Sequence, residues 1–312
     1  MTDEGALAGW QLADTVALNV ALAAALGALV SSVWLQHGRS PWALRSAASL
    51  RTALRAALVL TALASLGALW LQAAVMAEVP LSQALPAIVS VLAHSHYGRA
   101  WLAGAAGLAV ASAAAFAPAG ASTGRRGALG ALGVAVFVLG RSVVSHAGSH
   151  GDATWAVAVD AVHLLLVGLW AGEVFIGAWV MPATCGEADR ADRVRWVRAL
   201  SSSATLALGG VVATGAFNAW RGTGGSVDRL VGTAYGGALG VKLALVAVAV
   251  VLGGVNRFVV MPQLLEALRS GRLAVEPPLR RFVSILRVES AVLAVALGAA
   301  AVLAASPPPG AG

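Results

Sequence analysis

Residues 155–181 read WAVAVDAVHLLLVGLWAGEVFIGAWVM, a run of 27 residues whose only ionisable side chains are Asp160, His163 and Glu173. A helix crosses the hydrocarbon core of a bilayer with about 20 mostly apolar residues. This run is therefore long enough to span a membrane, and its three ionisable groups would lie within the bilayer. Because a polar group at that depth is costly, we expect each of them to face protein or water rather than lipid.

The rest of the chain resembles this run. Of its 312 residues, 59% are hydrophobic and 11% are charged, whereas soluble domains carry about 25% charged residues. Lipid favours helices over open sheets, since a sheet edge would leave unsatisfied backbone groups. We therefore expect one all-α membrane domain over 1–312, with helices 1–3 in 1–126 and helices 4–8 in 127–312. The eight predicted spans are 14–36, 53–76, 99–118, 127–145, 155–181, 201–220, 234–255 and 284–305.

The basic residues are divided unequally between the two ends of these spans. Sixteen of the 21 lie at one end: Arg39, Arg45, Arg51, Arg55, Arg125, Arg126, Arg190, Arg193, Arg195, Arg198, Arg257, Arg269, Arg272, Arg280, Arg281 and Arg287. Only Arg99, Arg141, Arg221 and Arg229 lie at the other end, and Lys242 lies within a span. For this multi-pass chain, the positive-inside rule then predicts that the arginine-rich loops are cytoplasmic and that both termini lie on the opposite, periplasmic side. It also accounts for the net charge of +7 without a nucleic-acid partner.

Five of the six histidines gather at the end that is poor in arginine: His94, His96, His146, His150 and His163. Neutral imidazole is a common ligand of copper, zinc and nickel. Positions 94 and 96 share a face only on an extended segment, whereas positions 146 and 150 align on a helical turn, although nearby glycines make a loop equally plausible. The pattern predicts a metal-binding surface, with Asp152 as a further ligand or as an orienting group. Taken singly, each loop histidine is equally well explained as a solvated polar residue.

Asp160 and His163 are three positions apart and share one face of a helix. His163 would lie about 12 Å below the outer boundary, at 1.5 Å per residue. Lys242 has a similar depth on the seventh span, where it could pair with Asp160. The arrangement fits either a structural clamp between two helices or an intramembrane relay for a metal ion or a proton.

Two further groups lie nearer the arginine-rich side. Glu173 is either a relay residue or the partner of an interhelical hydrogen bond with Asn218 or Asn256. Met181, Cys185 and Met261 carry soft sulfur atoms, which select Cu(I) and would suit an exit site. Methionine next to proline is also common in simple packing.

Several motifs are absent from the sequence. There is no Gly-Lys-Ser/Thr phosphate loop, no His-Glu-x-x-His and no Cys-x-x-Cys. The single cysteine excludes an internal disulfide framework. We therefore expect neither an ATP-driven pump nor an enzyme.

The order of several short motifs provides a resemblance to a known family. Ser145-His146-Ala147 is followed by Asp160-Ala161-Val162-His163 and by Gly168-Leu169-Trp170-Ala171-Gly172. Further along come Gly215-Ala216-Phe217-Asn218-Ala219-Trp220, Tyr235-Gly236 with Lys242-Leu243, and Asn256-Arg257-Phe258 with Pro262. In this order the motifs resemble the copper resistance protein D family over about 140–306, and more loosely over the first half through Tyr97-Gly98-Arg99-Ala100-Trp101.

The resemblance implies an inner-membrane copper protein that moves copper from periplasm to cytoplasm, often beside a small periplasmic copper-binding partner. By position in these motifs, the resemblance implies roles for His146, Asp160 and His163. His94, His96 and His150 are candidates only because they lie on the same side of the membrane. Ser145 and Glu173 depart from the family pattern, each standing where glycine is usual. Two alternatives remain open, a haem-binding membrane cytochrome and a non-transporting scaffold for a periplasmic copper protein.

Overall fold

The computed structural model describes residues 3–118, 123–182, 184, 186–225, 230, 232–270 and 274–306. Within these ranges the chain is helical and contains no strand. The helices are α1 (Asp3–Trp34), α2 (Pro41–Ala77), α3 (Leu85–His94), α4 (His96–Phe116), α5 (Thr123–Val143), α6 (Trp155–Trp179), α7 (Arg190–Gly222), α8 (Ala234–Val255), α9 (Met261–Ser270) and α10 (Glu276–Ala305).

Eight helical segments in the described residues are long and apolar enough to cross a membrane, as predicted. α8, a π-helical turn over Asn256–Val260 and α9 form one of them as a continuous segment. The ten-residue helix α3 was not predicted; it is apolar but too short to span a bilayer. The sequence prediction of eight spans is therefore confirmed.

Local capping chemistry sets where several helices begin. Ser40, Ser95 and Thr154 each have an extended backbone and accept a hydrogen bond from the backbone N–H three residues later, at the start of α2, α4 and α6 respectively. These bonds satisfy amide groups that the first turn of a helix leaves without a partner. Caps at the start of α4 and α6 place two of the predicted histidine segments at defined positions.

Helix α6 lies at the centre of the bundle and packs against α1, α5, α7 and α10. It is the most buried of the spans, with 61% of its apolar window inside the protein. Its closest approach to α1 uses Gly27 and Gly172, because a Cβ on Gly172 would overlap the carbonyl oxygen of Ala23. Small residues of this kind let helix backbones approach closely in a membrane.

Polar contacts show which loops share an end of the bundle. At one end, which we call the histidine end, His96 lies against Asp152. At the opposite end, which we call the arginine end, Asp189 Oδ1 accepts a 2.8 Å hydrogen bond from the backbone N–H of Trp42, and Asp192 Oδ2 accepts one of 3.0 Å from that of Ser40. These two acidic side chains stabilise the start of α2 by accepting from its free amides. Which end faces the cytoplasm stays a prediction.

Candidate functional site: polar residues from the histidine end into the bundle

The outermost part of the site joins two segments that are far apart in the sequence. His94 is the last residue of α3, and His96 is the first residue of α4, with Ser95 extended between them. His96 Nε2 lies 2.8 Å from Asp152 Oδ1, and both side chains are about half exposed. The structure thus brings the 94–96 segment next to the 146–152 loop, as the sequence predicts.

The second histidine pair lies in a short 3₁₀ helix, His146–His150. His146 is exposed, and its backbone carbonyl accepts a 3.1 Å hydrogen bond from Arg221 at the end of α7. The side chain of His150 falls outside the described residues. Among the side chains that the structure describes, no group of three or more His, Cys, Asp or Glu is arranged to hold a metal ion. A shared four-histidine site therefore stays a prediction.

Below this surface, Asp160 is held by hydrogen bonds from two other helices and a loop. Its Oδ2 lies within hydrogen-bond distance of the hydroxyls of Ser142 (2.6 Å) and Ser145 (3.2 Å), and its Oδ1 accepts a longer bond of 3.4 Å from Asn218. Lys242 interacts with Asp160 electrostatically, but no ion pair within 4 Å joins them in the described structure. The two residues thus interact through their charges without a contact ion pair, and their role as a clamp or a relay stays a prediction.

One helical turn deeper, the buried His163 is fixed by Thr214 on α7. Its Nδ1 lies 2.9 Å from Thr214 Oγ1, and that hydroxyl donates its hydrogen to the carbonyl of Gly210 at 2.6 Å. A hydroxyl has one hydrogen, so when that hydrogen lies on the carbonyl of Gly210, Thr214 accepts from His163 and Nδ1 carries the ring hydrogen. The neutral ring then has its free lone pair on Nε2, the atom that can bind a metal.

Glu173 lies further down α6 and is fully buried. Ser203 on α7 donates a hydrogen bond to its Oε1, whereas Oε2 is buried without a hydrogen-bond partner in the described residues. The expected partners were wrong: Asn218 donates to Asp160, and Asn256 donates to the carbonyl of Phe282. The asparagines were expected because their side-chain amides are hydrogen-bond donors. In the structure, Ser203 is the residue of α7 that lies opposite Glu173.

These contacts follow the register of two antiparallel helices. The pairs are Asp160 with Asn218, His163 with Thr214, and Glu173 with Ser203. Residue numbers therefore decrease along α7 as they increase along α6. We call these three pairs the α6–α7 polar ladder. Its lower two pairs are separated by ten residues, about 15 Å along a helix. That interval is apolar, with Leu166 against Gly210 and with Trp170 buried.

Sequence reasoning missed Arg141 as an internal residue. It had been assigned to the outer ends of the helices, but it lies within α5, where its Nη2 donates a 2.9 Å hydrogen bond to Asn19 of α1 and its Nη1 is buried without a partner in the described structure. It also interacts electrostatically with Asp160 and Asp14. The signal that could have found it is its position before Ser142 and Val143, which continue the same span.

The structure describes two of the three residues proposed for the sulfur exit site. Met181, just beyond α6, packs against the core, and Met261 begins α9. Met261 lines a cavity of about 200 Å³ between α6, α7, α8 and α10, together with Glu289 and Asn256. Cys185 lies outside the described residues. The predicted exit site therefore stays a prediction.

Comparison with known proteins gives two matches to family models. One is described as copper resistance protein D and covers residues 194–303. The other is described as copper resistance protein D-like, N-terminal domain, and covers residues 8–155. No curated protein and no solved structure matches the chain significantly. Residues 156–193, which include Asp160, His163 and Glu173, lie between the two matched ranges.

Proposed function

Because the chain belongs to the copper resistance protein D family, we propose that it takes up copper ions at its histidine end and passes them through the membrane to its arginine end. The coarser part of this statement, a copper-related membrane protein, follows from the family and from the eight apolar spans. The direction, the binding residues and the path are our proposal. Copper is the cargo in this scheme rather than a resident cofactor.

The observation that carries the proposal is the orientation of His163. Metal-binding histidines usually donate the hydrogen of their second ring nitrogen to a fixed acceptor, which sets the tautomer and the direction of the ring. Thr214 is that acceptor for Nδ1. A buried imidazole with Nε2 left basic, one helical turn below a carboxylate, is suited to bind a soft or borderline metal ion.

The residues above His163 supply the first steps. His96 and Asp152 form a pair that solvent can reach, and we propose that copper first binds there with help from His94, His146 and His150. Asp160 would then offset the positive charge of the ion as it enters the bundle. Without this carboxylate, the positive charges of Lys242 and Arg141 would repel the ion. His163 receives the ion from this level.

The lower half of the path requires a change of conformation. Between His163 and Glu173 the interface of α6 and α7 is apolar, and Trp170 is buried. We propose that this interval is closed here and opens when the two helices shift, so that Glu173 and the sulfur atoms of Met181, Cys185 and Met261 can accept the ion. With a relay of this kind, the ion path would not be open to the histidine end and to the arginine end at the same time.

The remaining assignments fit the same scheme. We propose that the arginine end is cytoplasmic, by the positive-inside rule, in a bacterial inner membrane. The exposed imidazoles of His96 and His146 would then be accessible to a periplasmic copper-binding partner. The chain forms one domain in this proposal, because α1 packs against both α6 and α10. No catalytic role is proposed.

Copper uptake into proteoliposomes tests the proposal. We expect His163→Gln and His96→Gln to reduce the rate of uptake at least tenfold, whereas His37→Gln, in the segment between α1 and α2 at the arginine end, should leave it unchanged. Each variant is first compared with the parent chain by size-exclusion elution and thermal midpoint, so that misfolding is recognised. Normal uptake by both folded variants would overturn the proposed path, and partner binding with no uptake by the parent chain would select a scaffold.

A haem-binding role gains no support from the geometry. Among the histidines whose side chains the structure describes, only His163 is buried. A bundle that holds haem iron between two histidines needs a second buried imidazole opposite the first.

A further inference from the structure

A cavity of about 240 Å³ lies at the arginine end, between α1, α2, α4 and α5. It is remote from the polar ladder, which uses α6 and α7. Its interior is formed by apolar side chains that these four helices direct towards one another: Leu29, Val33, Leu54, Leu58, Ala111 and Val134. Although Ser32 and Gln36 also line the cavity, this apolar part of it suits a hydrocarbon chain better than a hydrated ion.

Arginine side chains from two helices lie at this cavity. Arg51 of α2 and Arg126 of α5 both line it. Arg126 donates its Nε hydrogen to the carbonyl of Ala114 at 3.1 Å, and the neighbouring Arg55 donates its Nε hydrogen to the carbonyl of Ala115, also at 3.1 Å. These carbonyls end α4, where the helix dipole favours positive charge. The bonds fix the two guanidinium groups and leave their terminal nitrogens available.

No carboxylate neutralises the arginines at this cavity in the described part of the chain. No aspartate or glutamate is among the residues that line it, and none of Arg51, Arg55 and Arg126 forms an ion pair with a described carboxylate. Guanidinium groups bind phosphate oxygens through short, charge-assisted hydrogen bonds. The cavity therefore combines a positive rim with an apolar interior.

We propose that this cavity binds a membrane phospholipid with an anionic headgroup. One acyl chain occupies the apolar interior beside Leu58 and Val134, and the phosphate lies between Arg51 and Arg126. Basic pockets between membrane helices are a known setting for anionic headgroups. The bound lipid joins α2 to α5 through its phosphate and stabilises the packing of the first five helices. The proposal does not depend on copper transport.

Thermal unfolding of the delipidated protein in detergent tests the site. Phosphatidylglycerol should raise the midpoint with saturation, whereas phosphatidylcholine and inorganic phosphate should not. Each arginine near an anionic lipid surface contributes about 1 kcal/mol, so Arg51→Gln/Arg126→Gln should weaken the apparent affinity for phosphatidylglycerol about 30-fold. The matched control is Arg280→Gln/Arg281→Gln, two exposed arginines in α10 that do not line the cavity.

A second variant separates the apolar interior from the charged rim. Ala47 lines the cavity and is half-buried, so Ala47→Phe should fill part of the space and abolish the saturable response while both arginines remain. An equal response to phosphatidylcholine, or unchanged affinity in Arg51→Gln/Arg126→Gln, would overturn the proposal. A shift by inorganic phosphate as large as that by phosphatidylglycerol would also overturn it, because it would show an anion site without a lipid chain.

Discussion

His163 Nδ1 lies 2.9 Å from Thr214 Oγ1, at the centre of the interface between α6 and α7. Because the hydroxyl of Thr214 lies closer to the carbonyl of Gly210, at 2.6 Å, the geometry favours Thr214 as donor to that carbonyl and as acceptor from Nδ1. The pair thus prepares Nε2 as a basic nitrogen inside the bundle.

Thr214→Val should weaken copper binding at His163 by about 10- to 100-fold, the usual effect of removing the group that orients a metal-binding histidine. The side chain keeps its volume, so the fold should persist. Isothermal titration of the detergent-purified protein with copper measures the effect. Thr52→Val is the control, since Thr52 bonds to its own helix in the same way but touches no histidine. Equal affinities in Thr214→Val and Thr52→Val would contradict the role of Thr214.

His96→Gln and Asp152→Asn should lower copper binding without lowering stability. The two side chains are about half exposed, and exposed ion pairs contribute at most about 1 kcal/mol. If both are copper ligands, each single variant should weaken binding, and the double variant should cause little further loss because the site is already broken. Additive losses in the double variant, measured by titration, would show that the residues do not share an ion.

Asp160→Asn should destabilise the protein by about 1–3 kcal/mol, because it removes the carboxylate that offsets Lys242 and Arg141 inside the bundle. Replacing Lys242 by Met in the same chain should restore part of the loss. Ser142→Ala should cost about 1–2 kcal/mol, because it removes the hydroxyl that contacts Asp160 at 2.6 Å and the carbonyl of Val157 at 3.0 Å. Thermal midpoints of the single and double variants test this ordering. Equal midpoints for Asp160→Asn with and without Lys242→Met would argue against electrostatic compensation.

The sequence was sufficient for the eight spans and for the face that collects the histidines, because hydropathy and arginine placement depend on the membrane itself. The sequence could not predict which side chains bond to Glu173 and Asp160. Ser203 meets Glu173 only because α6 and α7 are antiparallel with one particular register, and that register depends on packing. Likewise Asp160 contacts Ser142 of α5 and Asn218 of α7, which spacing along one helix could not reveal.

The close crossing of α1 and α6 depends on two glycines, Gly27 and Gly172. A Cβ on Gly172 would overlap the carbonyl oxygen of Ala23, and the nearest atoms are backbone, which cannot rotate away. Gly172→Ala should therefore push α1 from α6 and lower the thermal midpoint by an amount that corresponds to about 1–3 kcal/mol, the usual cost of overpacking.

Gly209→Ala is the matched control, because a Cβ there meets no atom within 4 Å. It should leave the midpoint unchanged or raise it, since alanine is favoured over glycine in a helix by up to about 1 kcal/mol. The displacement in Gly172→Ala should also reach the next residue, Glu173, and through it Ser203. Copper uptake should therefore fall in Gly172→Ala and persist in Gly209→Ala. Equal midpoints and equal uptake in the two variants would mean that α1 and α6 do not depend on this close approach.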